Sequence, residues 1–315
     1  MTNAPEVSLG LLSRLWLREP DSDALDATRG VASLAPHVGE PAAMAPAYTD
    51  LFLLNVYPYG TAFLDGSGEL NGPAAWQAAR RYEDRGYGPP ELFEVGAPDH
   101  VGLCLGYLEH LAGGGQKDLE FSSFVMEWVP VCCLAVEREP AAHPFYKAVA
   151  AATRRSLWDH IPDPVTRSSE PEESAPGTDP LGEDDEEEIG LSLIVRFLLA
   201  PARCGLFLSR ARLGQLAISA GMRLPFGSRF DVARALFQTA GEDGKVALVL
   251  DRLEAEIGAW EAAYRGWAEE HRGWAPVAAR WLHRTGETRR LIAQMREILE
   301  NPPELEYTEE RSGEG

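Results

Sequence analysis

Apolar residues recur along this chain at steps of three and four, the spacing that gathers side chains on one face of an α-helix. The clearest case runs from about His100 to Ala112. There Val101, Cys104, Leu105, Leu108, Leu111 and Ala112 form one stripe predicted to be buried, with Glu109 and His110 on the other side. Asp99 stands where a side chain caps such a helix by accepting an orphan backbone N–H, and Gly113, Gly114 and Gly115 stop it. The Asp99-His100 corner therefore reads as a structural cap beside a solvent-facing histidine. Gly102 and Gly106, four apart, leave a smooth strip for the close approach of another backbone, a packed helix or an extended peptide.

The same spacing predicts a short helix from Val7 to Leu17, closed by Pro20 and Asp21, and a second from about Asp23 to Leu34. Pro41 and Pro46 are expected to break the pattern before Tyr48, Leu51 and Phe52 share a helical face. Pro58 then ends regular structure and leaves Tyr57 and Tyr59 in an irregular, surface-reaching loop. Asp65-Gly66-Ser67-Gly68 reads as a turn, followed by a helix from about Pro73 to Arg85 carrying Trp76, Ala79 and Tyr82. Phe121, Phe124, Val125 and Trp128 repeat at helical spacing up to Pro130. The apolar run Val131 to Val136 fits strand or helix equally, and Phe145 to Trp158 is helical.

Beyond residue 188, Ile189 to Leu199 is strongly apolar, and Ser209 and Ser228 are N-cap candidates matched by Gly221 and Gly241 as stops. Val246, Leu250, Leu253, Ile257, Trp260, Tyr264 and Trp267 alternate steps of four and three, a coiled-coil-like seam. A final helix is expected over Thr288 to Leu299. No alternating period-two stretch with hairpin turns interrupts the series, so the fold class is all-α, a helical bundle with an additional C-terminal helical region.

Composition divides the chain further. At 315 residues and 45% hydrophobic it has the material for one large or two ordinary globular domains. Pro162 to Glu188 differs: eleven acids, five prolines, no aromatic residue and a single basic one, Arg167. The division expected is a helical core over 1–161, an acidic disordered linker or loop over 162–188, helices over 189–300 and a polar tail over 301–315. The formal net charge of -20 disfavours nucleic acid and anionic membranes, so partners should be neutral or basic. Four cysteines without C-x-x-C or metal spacing read as buried thiols of a reducing cytoplasm. The N-terminal residues show no secretory pattern, and no window approaches the roughly 20 apolar residues of a membrane helix. The expected location is cytoplasmic.

Candidate chemistry is sparse. No nucleophile elbow, phosphate loop, dinucleotide glycine pattern or H-E-x-x-H helix occurs, so neither an enzyme nor a cofactor or metal site is expected. An Asp99-His100 acid/base pair is disfavoured, because neighbours at a helix start point apart and no nucleophile is placed to be activated. Tyr57 and Tyr59, freed from any regular face and with acids nearby in sequence, suit the wall of an apolar groove for a basic-apolar peptide.

Three blocks then carry a family resemblance: Tyr48-Thr-Asp-Leu-Phe52 with Val56-Tyr-Pro-Tyr59 and Phe63-Leu-Asp-Gly66; Pro98-Asp-His-Val-Gly-Leu-Cys-Leu-Gly-Tyr-Leu-Glu-His-Leu111; and Phe124 to Pro130 with Pro144-Phe-Tyr-Lys-Ala-Val-Ala150. In order and spacing they resemble the TorD/DmsD/NarJ-like chaperones that mature bacterial molybdenum redox enzymes. The match spans roughly residues 10 to 160. Cys104 and Met126-Glu127 depart from the family's usual acid and histidine. The resemblance implies an all-helical, non-catalytic cytoplasmic chaperone without cofactor, a possible homodimer, whose partner is an apo-molybdoenzyme and its twin-arginine signal peptide. The candidate peptide-binding residues are Tyr57, Pro58, Tyr59, Asp99, His100, Glu109 and Trp128. The alternative is an acidic adaptor that meets a protein partner through the heptad helix.

Overall fold

Caps and periodic apolar faces set the helices of the N-terminal half. A computed structural model describes residues 7–66, 71–161 and 189–301, and the regular elements among them are helices. Ser8 accepts from the Leu11 N–H and opens α1 (Leu9–Leu17), which buries Leu12, Leu15 and Trp16; Asp21 does the same at Ala24 for α2 (Ser22–Arg29). α2 ends at Gly30, short of Leu34, because the chain turns through Val31 to a 3-10 turn at Ala35–His37. The two prolines expected to break the next segment lie within helix instead. Pro41 starts α3 (Pro41–Tyr48), where its missing N–H has no intrahelical partner to lose, and Pro46 sits inside it. α3 runs directly into a π-helical turn, Thr49–Leu53, which carries Leu51 and Phe52 into the core.

α4 (Gly60–Leu64) packs on α5 (Pro73–Asp84), followed by the single turn α6 (Leu92–Val95). The buried face of α5 is Ala74, Ala75, Ala78 and Tyr82, small residues against α4, so Trp76, expected on the inward stripe, is 68% exposed. Then come α7 (Val101–Gly113), α8 (Leu119–Arg138) and α9 (Pro144–His160).

α8 does not stop at Pro130. Pro130 cannot donate to the Met126 carbonyl one turn earlier, and that carbonyl instead accepts from Trp274 Nε1 at 2.9 Å; Trp281 Nε1 reaches the next one, Glu127 O, at 2.9 Å. With the break repaired from outside, Val131 to Val136 is helical, and Leu119–Arg138 becomes one helix long and apolar enough, by length and composition, to cross a membrane. By local pattern alone the segment divides at Pro130 into two pieces, each too short for that. It is mostly buried inside the bundle.

The C-terminal helices are α10 (Ile189–Leu199), α11 (Pro201–Cys204), α12 (Arg210–Ser219), α13 (Arg229–Glu242), α14 (Val246–Glu270) and α15 (Ala275–Glu300). Ser209 and Ser228 cap α12 and α13 as expected, and Gly221, at φ 67°, closes α12. Gly241, expected to stop α13, lies within it; the left-handed stop is Gly244, at φ 64°. α15 begins well before Thr288, since Pro276 fits its first turn and Val277, Ala278, Trp281 and Thr285 continue its buried stripe. α14 and α15 pack antiparallel, tied by Arg289–Glu261 at 2.9 Å and Arg296–Glu254 at 3.1 Å. The heptad seam from Leu250 to Trp267 is buried within the chain's own core.

Side chains from both halves form one apolar cluster. Phe207 stacks on Phe63 at 5.2 Å, Trp158 meets Trp267 edge-on at 5.9 Å, Asn55 Oδ1 accepts from the Ala211 N–H, and Arg138 pairs with Glu256 at 2.9 Å. The acidic segment 162–188, the tail from 302 and residues 67–70 of the expected turn lie outside the described residues.

Candidate functional site

The corner between the Tyr57-Pro58-Tyr59 loop and the start of α7 is built by backbone pairing. Val101 N–H donates to Pro58 O and Gly60 N–H to Asp99 O, both at 2.9 Å, so Tyr59 and His100 form an isolated antiparallel bridge. That bridge draws the corner inward. His100, expected to face solvent, is 2% exposed, with its ring edge-on to Tyr59 at 5.0 Å.

The capping roles also differ from expectation. Asp99 does not cap α7; His100 does, its Nδ1 accepting from Gly102 N–H at 3.0 Å. Asp99 Oδ2 instead accepts from Thr61 N–H and Thr61 Oγ1, each at 2.6 Å, and so secures the first turn of α4. Burial raises the Asp99 pKa, against the pull of the two Thr61 hydrogen bonds, and burial lowers that of His100 to about 3. A neutral imidazole with its proton on Nε2 is the form that leaves Nδ1 free to accept.

Trp128 of α8 closes the floor. It stacks near Phe63 at 6.1 Å and presses on Gly60, where a Cβ would stand 3.2 Å from Trp128 Cε2 and 3.4 Å from Asp99 Cβ. Gly60 thus marks a close approach of backbone and ring that a larger residue would crowd. Tyr59 OH donates to Val95 O, and Tyr82 OH to Pro98 O, each at 2.9 Å, so the segments flanking the corner are pinned as well. Cys104 lies buried beneath, its thiol pKa pushed up by burial.

The structure therefore gathers Pro58, Tyr59, Asp99, His100 and Trp128. Of these only Tyr59 is half-buried; the other four are buried. Tyr57, also half-buried, turns away toward Phe207 at 6.5 Å and Arg229 at 5.9 Å. Glu109 stands apart, about 13 Å along α7 from His100 at roughly 1.5 Å per residue, half-buried against α1 at Gly10. The glycine strip of α7 is filled by a helix of this chain: Ser13 Oγ donates to Gly102 O at 2.7 Å, and a Cβ on Gly102 would meet Leu17 Cγ at 2.5 Å.

Of the residues that complete the corner and its rim, Tyr82 shows in the sequence only as part of a helical stripe, and Thr61, Phe207 and Arg229 carry no local signal. Only Thr61, beside the proline-aromatic loop, lies near a feature that drew attention. Asp99 is engaged with Thr61 and the ring of His100 with the α7 backbone, so the two are not aimed at one another as an acid/base pair. Among the described residues no cluster of three or more His, Cys, Asp or Glu is set to hold a metal ion. The chemistry of this corner is positioning: two buried titratable groups lock a half-exposed aromatic loop onto α7.

Residues 21–124 match a family model described as the nitrate reductase delta subunit. The first two sequence blocks, through Leu111, fall inside that stretch, and the third begins at its last residue. No curated protein and no solved structure matches the chain.

Proposed function

From residues 21–124, a region of the nitrate reductase delta subunit family in line with the TorD/NarJ-like resemblance, we propose that this protein is a maturation chaperone for a molybdenum oxidoreductase. The observation that carries the reading is that the family region contains both the aromatic loop and the α7 corner that lock together. In this proposal the client segment is a twin-arginine signal peptide. Tyr57 and Tyr59 offer it half-exposed aromatic faces, and Glu109 with other surface acids offers carboxylates for its arginines. A charge-assisted hydrogen bond of that kind contributes roughly 1.5–3 kcal/mol. Asp99, His100 and Trp128 act behind them, holding the loop rather than touching peptide.

The test is a titration of the full chain with twin-arginine peptides from oxidoreductases encoded beside it, with Lys-Lys controls and the corresponding apo-enzymes. Saturable binding that prefers Arg-Arg and weakens with salt is expected, given the net charge of -20. Absence of binding to every peptide and every apo-enzyme sinks the reading. The adaptor alternative is left with the outer face of the heptad helix, because its seam is buried inside this chain.

A further inference from the structure

Arginines that enter the fold here mostly have a carboxylate close by. Even Arg284, whose guanidinium lies over Trp281 at 4.4 Å and whose Nη1 is buried without a hydrogen-bond partner, is under the electrostatic influence of Glu127. Arg138 and Arg212 approach Glu256 at 2.9 and 3.7 Å, and Arg154 lies between Glu137 at 3.6 Å and Glu270 at 3.5 Å. Arg229, the first residue of α13, has no such partner among the described residues. Its guanidinium lies over the ring of Phe207 at 4.8 Å and 5.9 Å from that of Tyr57, and Nη2 donates to Leu199 O at 2.6 Å. Nη1 is buried with no hydrogen-bond partner. The nearest acid in sequence, Asp231, is engaged in the capping box with Ser228.

A guanidinium stays charged when buried, and an enclosed cation without a counter-charge is costly. Cation–π contact offsets part of that cost and leaves the hydrogen-bonding capacity of Nη1 unused. We propose that Arg229 is a binding site for a carboxylate side chain of a partner polypeptide, seated beside the half-exposed ring of Tyr57. A planar carboxylate matches the guanidinium edge, and its polypeptide neighbours supply apolar surface for the exposed part of the Tyr57 ring. A phosphate dianion fits less well, being strongly hydrated and repelled by the charge of the chain. Tyr57 and Arg229 are each partly exposed, so side-chain rotation at the surface uncovers the nitrogen. The site stands on this geometry and does not depend on twin-arginine recognition; it gives an acidic protein one local address of opposite sign.

The test uses the full chain with N-acetyl-Glu-Phe-amide, the Gln-Phe counterpart and sodium acetate at matched ionic strength. Calorimetry should show the Glu peptide binding at least tenfold more tightly than the Gln peptide. The 15N guanidinium resonance of Arg229 in the unaltered chain should shift with the Glu peptide alone. Arg229→Lys should weaken the preference and Arg229→Met abolish it; if Arg229→Met fails to fold, the resonance in the unaltered chain decides. A shift confined to the Glu peptide supports a site that needs the polypeptide neighbours, whereas a matching shift with acetate at the same concentration overturns the polypeptide assignment. Equal binding of the Glu and Gln peptides, or a preference that survives in Arg229→Met, overturns the proposal.

Discussion

His100 is the residue on which the corner's pH response turns. Its folded pKa is lowered to about 3 from an ordinary 6.5, so between those values the unfolded chain binds the proton and the folded one does not. Stability from this residue is therefore complete above about pH 6.5 and declines as pH falls toward 3, by up to about 1.4 kcal/mol per pH unit. Asp99, whose pKa is raised, acts in the opposite sense: its folded form takes up a proton first as pH falls. His100→Asn keeps a side-chain acceptor for Gly102 N–H and removes the titration. Urea midpoints at pH 7, 6 and 5 should fall less steeply in that variant, and an unchanged slope would remove His100 from the account. Thr61→Val deletes one of the two donors to Asp99 at nearly constant volume. It should cost about 1–3 kcal/mol in urea unfolding, because it leaves a buried carboxylate short of a partner.

Two contacts between elements are set by what is missing from a residue. Gly102 lets α1 lie against α7, and Gly102→Ala would drive a methyl group into Leu17 and the Ser13 carbonyl. A loss of about 1–3 kcal/mol is expected. Gly113→Ala, in open space at the other end of α7, should be neutral or slightly stabilising, and equal effects at both positions would refute the packing argument. Pro130 lacks the N–H that would reach Met126 O, and Trp274 supplies one from α15's approach. Trp274→Phe should destabilise the chain by about 1–3 kcal/mol, partly by orphaning that carbonyl. Pro130→Ala restores an intrahelical donor. The double variant should then lose less than the sum of the single ones, and strict additivity would show that the two sites are not coupled.

Over the whole molecule, the same bonds join the C-terminal helices to the N-terminal half. Residues 189–301 cover Phe63 through Phe207 and supply the indole donors to α8. A fragment ending at residue 161 should lack the near-ultraviolet circular dichroism of the full chain and elute as expanded or associated material. A compact monomer with native-like tryptophan signals would show instead that the N-terminal half folds alone. Peptide recognition is accordingly tested on the intact chain.

The sequence by itself determined the all-α class, the apolar stripe of α14, most of that of α7, and the serine caps of α12 and α13, because each follows from spacing within a few residues. On α7, Ala112, expected on the buried stripe, is exposed, and Leu103 and Tyr107, off it, are buried because neighbouring helices cover more than one face. The sequence also brought the Tyr57-Pro58-Tyr59 loop and the Asp99-His100 pair to notice as one candidate site. Their orientation was not legible locally. Whether His100 faces water depends on a bridge to Tyr59, and which helix Asp99 caps depends on Thr61, 38 residues away. Tertiary structure likewise decided that α8 runs through Pro130, since the donor that repairs it comes from Trp274. Periodicity reports which face of a helix is apolar; it does not report what will cover that face. Hydrogen bonds and ring contacts between distant segments settle that, and they exist only once the chain has folded.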